Sequence, residues 1–197
     1  MNKFVIPLIG FALLVVVLAV GVKRSPEKQV VPSVLIGRPA PDFTLPDLMN
    51  PEAQVTSQSL KGKPYMLNVW GTWCYACRIE HPALLELNRL GQIPIVGLNW
   101  RDQDDLARAW LAEYGNPYTH IPVDTEGRTA IDFGVTGAPE TFLVDSKGII
   151  VHRHVGPLSV EIWKRDFEPR IRADLGSAAA APSASPADAG SAIPGPT

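Results

Sequence analysis

The chain has 197 residues, 46% of them hydrophobic, with 18 Lys and Arg against 20 Asp and Glu. That near-balance of charge argues against a dedicated nucleic-acid binder, which carries a basic excess or stripe, and against long charged arms. Two cysteines rule out both a disulfide-stapled mini-fold and a zinc site of four cysteines.

Residues 1–24 read as a membrane anchor. Phe4 to Val22 carries no charge, and as a helix it would span roughly 28 Å, close to the hydrocarbon thickness of a bilayer. Ala19-Val20-Gly21 is a passable signal cleavage site, so removal is the competing reading. Lys3 on one side and Lys23, Arg24 and Lys28 on the other mildly oppose the positive-inside tendency. The chemistry argued below favours the amino terminus inside and the domain outside. Residues 25–34, with Pro26 and Pro32, read as a tether.

The domain is expected over residues 35–175. Proline-rich 38–46 leaves room only for a short edge strand near Phe43. Tyr65 to Trp70 reads as a buried strand, and a helix follows Cys74 up to Gly91, kinked at Pro82. A second apolar strand is expected at Ile93–Leu98. A helix follows at Asp102–Tyr114 with Leu106, Trp110 and Leu111 inward. Tyr118–Val123 is a candidate short strand and Thr129–Phe133 a helical turn or two. Thr141–Val144 and Ile149–His154 flank Asp145-Ser146-Lys147-Gly148 as a hairpin, and an amphipathic helix closes at Val160–Asp174. Alternating strands and helices imply a central, partly parallel sheet covered on both faces. From Gly176 onward the Ala, Ser, Pro and Gly composition predicts a disordered tail, residues 176–197.

Both cysteines fall in Trp73-Cys74-Tyr75-Ala76-Cys77, after a strand and at the start of a helix. Free N–H groups and partial positive charge at a helix amino terminus favour a thiolate there. The first cysteine of such a pair is exposed and attacks; the second, one turn deeper, resolves the mixed disulfide. A structural role is weak, because closing so short a loop removes little chain entropy. Arg78 stands where a c-type haem site needs His. A metal site recruiting His81, His152 or His154 stays open as a carrier of copper or haem.

Leu67-Asn68-Val69-Trp70-Gly71-Thr72-Trp73-Cys74, Cys77-Arg78-Ile79-Glu80-His81, Gly115-Asn116-Pro117-Tyr118 and Gly134-Val135-Thr136-Gly137-Ala138-Pro139-Glu140-Thr141-Phe142-Leu143 together resemble the thioredoxin superfamily. The match is closer to its cytochrome c biogenesis branch, the CcmG/DsbE thiol:disulfide interchange proteins. The resemblance spans about residues 36–172 and implies an α/β thioredoxin-like fold behind an N-terminal transmembrane helix. It implies a single-pass protein of the bacterial inner membrane with its domain in the periplasm. It also implies reduction of the haem-binding cysteines of apocytochrome c, with electrons from a DsbD-type membrane reductase and other cytochrome c maturation proteins as partners. No cofactor beyond the Cys74–Cys77 disulfide is implied, and no nucleic acid.

The same resemblance distributes roles. Cys74 attacks and Cys77 resolves. Asn68 stands where thioredoxin has a buried Asp and cannot accept a proton, so Glu80, one turn past Cys77, takes over that work with a pKa raised by partial burial. Pro139 should be cis and face Cys74, leaving the Ala138 backbone to pair with an extended substrate. Trp73, Tyr75 and Glu140 should border the same groove. Tyr75 replaces the proline the family often carries there, at a position that tunes the potential. The Gly37–Leu45 opening also resembles peroxiredoxins, but their PxxxTxxC pattern fails, with Leu67 and Gly71 at the required positions. A broader-specificity disulfide reductase, a general thiol oxidase and a metal or haem chaperone remain as competing functions.

Overall fold

A computed structural model describes residues 5–23 and 35–180. The tether at 25–34 and the tail beyond Ala180 lie outside the described residues. Two units are described separately. The first is helix α1, Val5–Lys23, along which Leu8, Ile9, Phe11, Leu13 and Leu18 are exposed. Among the described residues no helix is long and apolar enough to cross a membrane.

The second unit is built on strand β3, Tyr65–Trp70, all of whose residues are buried. Strand β4, Ile95–Trp100, lies parallel to it on one side, with Met66 opposite Ile95 and Trp70 opposite Asn99. Strand β5, Val123–Asp124, continues that parallel side. Strand β6, Glu140–Val144, is antiparallel on the other side of β3, and β7, Ile150–Val155, completes the order β5-β4-β3-β6-β7. The sheet is mixed, as expected. Two short strands, β1 (Thr44–Pro46) and β2 (Gln54–Thr56), form a separate antiparallel pair. The second of these is absent from the sequence reading. It is short and half polar, and the Asp47 carboxylate organises the turn before it by accepting from Met49 N–H, Asn50 N–H and Ile121 N–H.

Alternation along β3 and β6 divides the core. Met66, Trp70 and Leu143 face helix α2 (Tyr75–Leu90), helix α3 (Asp104–Tyr114) and the C-terminal helix, through Leu84, Leu87, Leu111 and Phe167. Leu67, Val69, Phe142 and Val144 face Phe43, Val55 and, at helix α4 (Arg128–Asp132), Ala130 and Phe133. Helix α2 passes through Pro82 and ends at Gly91, whose φ of 61° is the left-handed conformation that glycine adopts without cost.

Three expectations need correction. On α3 the inward face is Ala107 and Leu111, with Trp110 half-buried, whereas Leu106 is exposed; the apolar stripe sits one position further round than read. The closing helix is not uniform. It comprises α5 (Val160–Ile162), a π-helical turn (Trp163–Phe167) and α6 (Glu168–Ala180). Pro169 has no N–H to offer the Arg165 carbonyl, and the wider turn comes just before it while stacking Trp163 on Phe167 at 5.8 Å. Helix α6 also runs on through Ala178, Ala179 and Ala180, past the boundary at Leu175, because alanine is the strongest helix former.

Candidate active site

The chain leaves β3 at Trp70, turns through Gly71, Thr72 and Trp73, and enters α2 at Cys74. A Cβ at Gly71 would lie 2.5 Å from the Trp73 indole nitrogen, so only glycine lets that ring fold back over the turn. The turn is pinned by Asp102. Its carboxylate accepts from Thr72 N–H at 2.6 Å, Thr72 Oγ1 at 2.7 Å, Asn99 Nδ2 at 3.0 Å and Gln103 N–H at 2.9 Å.

Cys74 and Cys77 are joined in a disulfide, so the described state is the oxidised one. Cys74 is the N-cap of α2, and its Sγ accepts from Cys77 N–H at 3.0 Å. An amide aimed at that sulfur at a helix amino terminus stabilises a thiolate once the disulfide opens. The expectation of a plainly exposed first cysteine is corrected: Cys74 is only 6% and Cys77 3% exposed. Both belong to the core cluster against which Ala76 and Ala138 pack. What is exposed is the rim. Trp73 is 52% and Tyr75 79% accessible. Trp73 is held edge-on against Trp100 at 5.5 Å and donates its Nε1–H to the Trp100 carbonyl at 3.1 Å.

The Ala138–Pro139 peptide is cis, as expected. Pro139 offers its carbonyl to Gly156 N–H at 2.9 Å. Among the described residues, the Ala138 backbone N–H and carbonyl take no partner. Glu140 does not border a groove. It is buried on the face of the sheet opposite α2, where Arg153 Nη2 and Nε reach it at 2.8 and 2.9 Å and Thr136 donates from both backbone and hydroxyl.

Glu80 is 1% exposed, buried more completely than the partial burial expected. Its Oε1 accepts from Asn68 Nδ2 at 2.9 Å and its Oε2 from Leu158 N–H at 2.7 Å. Desolvation pushes its pKa up to about 7, against the smaller downward pull of those two donors. Asn68, buried on β3, also donates to Thr141 Oγ1 at 3.1 Å and accepts from the Tyr118 hydroxyl at 3.0 Å. Tyr118 and Thr141 are site residues the sequence reading missed. Both lie in stretches quoted for the resemblance, but their meeting at Asn68 needs the fold: Thr141 stands directly across from Asn68 in the β3–β6 ladder. His81 turns away, its ring edge-on to Trp110 at 4.3 Å, while its Nε2 meets the Gly115 carbonyl. His152 packs on Phe167, and burial holds its pKa down to about 4. Among the described residues, no cluster of three or more His, Cys, Asp or Glu could hold a metal.

The Redoxin family model matches residues 35–169. The thiol:disulfide interchange protein DsbE of Allochromatium vinosum is 42% identical over 170 residues, covering 86% of this chain and 93% of that one. DsbE of Pseudomonas aeruginosa is 43% identical over 164 residues, covering 83% and 89%. Among solved structures, a candidate thiol:disulfide interchange protein DsbE from Chlorobium tepidum is 29% identical, with a TM-score of 0.60 over 72% of this chain and 98% of that one. With its Cys74–Cys77 disulfide at the mouth of a thioredoxin-like fold, this chain belongs to the redoxin family and, within it, to the DsbE-type thiol:disulfide oxidoreductases.

Proposed function

We propose that this protein reduces the disulfide formed by the haem-binding cysteines of apocytochrome c, at the periplasmic face of the bacterial inner membrane. The observation that carries the mechanism is Glu80, a buried carboxyl whose pKa lies near neutrality, one turn along α2 from Cys77. In the reduced protein the Cys74 thiolate attacks one sulfur of the substrate disulfide. That S–S bond breaks, a Cys74–substrate disulfide forms, and the released substrate thiolate takes a proton from water. Cys77 then gives its proton to the Glu80 carboxylate and attacks Cys74 Sγ. The bond between Cys74 and the substrate breaks, and the second substrate sulfur leaves as a thiolate. It takes up a proton from water while Glu80 returns its proton to water, and two electrons have passed from the Cys74–Cys77 pair to the substrate. A membrane dithiol reductase of the DsbD type returns the pair to the reduced state.

Trp73 and Tyr75 supply the apolar rim that grips the substrate chain, and the unpartnered Ala138 backbone beside cis-Pro139 lends it a strand edge. Helix α1, with its apolar described side chains, is the anchor in this reading, and it holds the domain near membrane-bound partners of cytochrome c maturation. A Cys77→Ser variant tests the assignment. Expressed in a bacterium that matures c-type cytochromes, it should accumulate a mixed disulfide between Cys74 and an apocytochrome. Capture of unrelated periplasmic proteins without apocytochrome would overturn it in favour of a broad-specificity reductase.

A further inference from the structure

Tyr118 is held in place with unusual care. It lies between α3 and β5, its ring stacked on Trp70 at 5.3 Å and 23° and its backbone N–H donating to Asn116 Oδ1 at 2.9 Å. Gly97 sits in the middle of β4, where glycine is costly. A Cβ at Gly97 would lie 2.7 Å from the Tyr118 ring, so the strand gives up a side chain to admit the phenol. The hydroxyl so placed donates to Asn68 Oδ1 at 3.0 Å.

A side-chain amide has an acceptor at one end and donors at the other. With the Tyr118 proton on Oδ1, the donor end of Asn68 must face the other way, toward Glu80 Oε1 at 2.9 Å and Thr141 Oγ1 at 3.1 Å. We propose that Tyr118 is a positioning residue for proton transfer: by occupying Asn68 Oδ1 it locks the amide so that an N–H, never a carbonyl, meets the Glu80 carboxyl. This rests on the reading of Glu80 as proton acceptor for Cys77. An N–H favours the carboxylate, whereas a carbonyl favours the protonated acid, which can donate to it. Without the hydroxyl, Asn68 is free to turn over and present Oδ1 to Glu80. The orientation of this amide therefore decides how readily Glu80 takes the Cys77 proton.

The surroundings leave the amide in control. Glu80 meets Asn68 from β3, the Leu158 N–H from the segment before α5, and Cys77 lies one turn back on its own helix. Thr141 from β6 touches the same amide, and His154 on β7 lies across from Thr141. Tyr118 itself stays protonated, since burial and the Glu80 charge raise its pKa well above the ordinary value. Its role is that of a fixed donor.

Infrared difference spectroscopy of the full chain can follow the Glu80 carboxyl, assigned by the band that Glu80→Gln removes. Tyr118→Phe keeps the stacked ring and should raise the midpoint of that band by about one pH unit, a tenfold change in the ionisation constant. The pH midpoint for product release by Cys77 should move with it. In an Asn68→Ala background the same substitution should move neither. An unchanged midpoint in Tyr118→Phe, with near-ultraviolet circular dichroism showing an intact aromatic core, overturns the proposal. So does a shift that persists in the Asn68→Ala background. If Asn68→Ala does not fold, the midpoint of Tyr118→Phe alone decides. If the band moves as expected while the reduction rate ignores it, Glu80 is not the proton acceptor for Cys77 and the Tyr118 lock still holds.

Discussion

Glu80 and Glu140 are two carboxylates shut away from water, 1% and 0% exposed, on opposite faces of one sheet. Both meet strand β3: Glu140 stands across from Val69 in the ladder, and Glu80 accepts from the side chain of the adjacent residue, Asn68. Their partners differ. Glu140 meets the Arg153 guanidinium through two nitrogens and takes two more donors from Thr136. Among the described residues, Glu80 has only the neutral amide of Asn68 and the Leu158 N–H, and its pKa rises to about 7. Burial therefore does not by itself make a proton acceptor. A buried carboxylate with a cation in place is a fixed charge that ties elements together, whereas one with only neutral donors is left close to the point of protonation.

The contrast breaks most visibly at Arg153. Arg153→Met removes the cation and strands Glu140, and urea denaturation should show a loss of about 3–5 kcal/mol. Disulfide reduction, assayed where the variant is still folded, should keep its wild-type pH profile. A loss below about 1 kcal/mol, the range of an exposed ion pair, would mean that the Arg153–Glu140 pair does not tie these elements together. The next largest effect concerns Glu80. A carboxyl whose pKa is raised on folding adds stability that is fully present below its unfolded value, near 4.5, and is lost as pH rises through about 7. Between pH 4 and pH 8 the oxidised protein should lose about 3 kcal/mol through this one group. Glu80→Gln should flatten that slope whatever its absolute stability. A slope that survives the substitution assigns the titration elsewhere.

Much of this was legible in the sequence. Strand β3 is read at its observed limits because Lys61-Gly62-Lys63-Pro64 and Gly71 bound an apolar run, and α2 ends at Gly91 as glycine there predicts. The cysteine pair, the cis-Pro139 peptide and the burial of Glu80 follow from local spacing and from the resemblance. Strand β4 begins two residues later than read, because its limits are set by pairing with β3 and not by its own apolar run. The role given to Glu140 failed for a related reason. Sequence places it beside Pro139, but the alternation of β6 turns its side chain to the far face, where Arg153 from β7 awaits it. Tyr118 and Thr141 were missed because what gives them meaning is the amide of Asn68, which is 50 and 73 residues away in sequence respectively.

The most direct measurement is thiol by thiol. In the reduced, folded protein, iodoacetamide modification followed by mass spectrometry gives the rate at each cysteine as pH is varied. Cys74, capped by the Cys77 amide, should react first and continue well below the ordinary thiol pKa of ~8.5, while Cys77 stays protected. Should Cys77 react first, or Cys74 remain unmodified while the fold is intact, the assignment of Cys74 as the attacking sulfur is wrong.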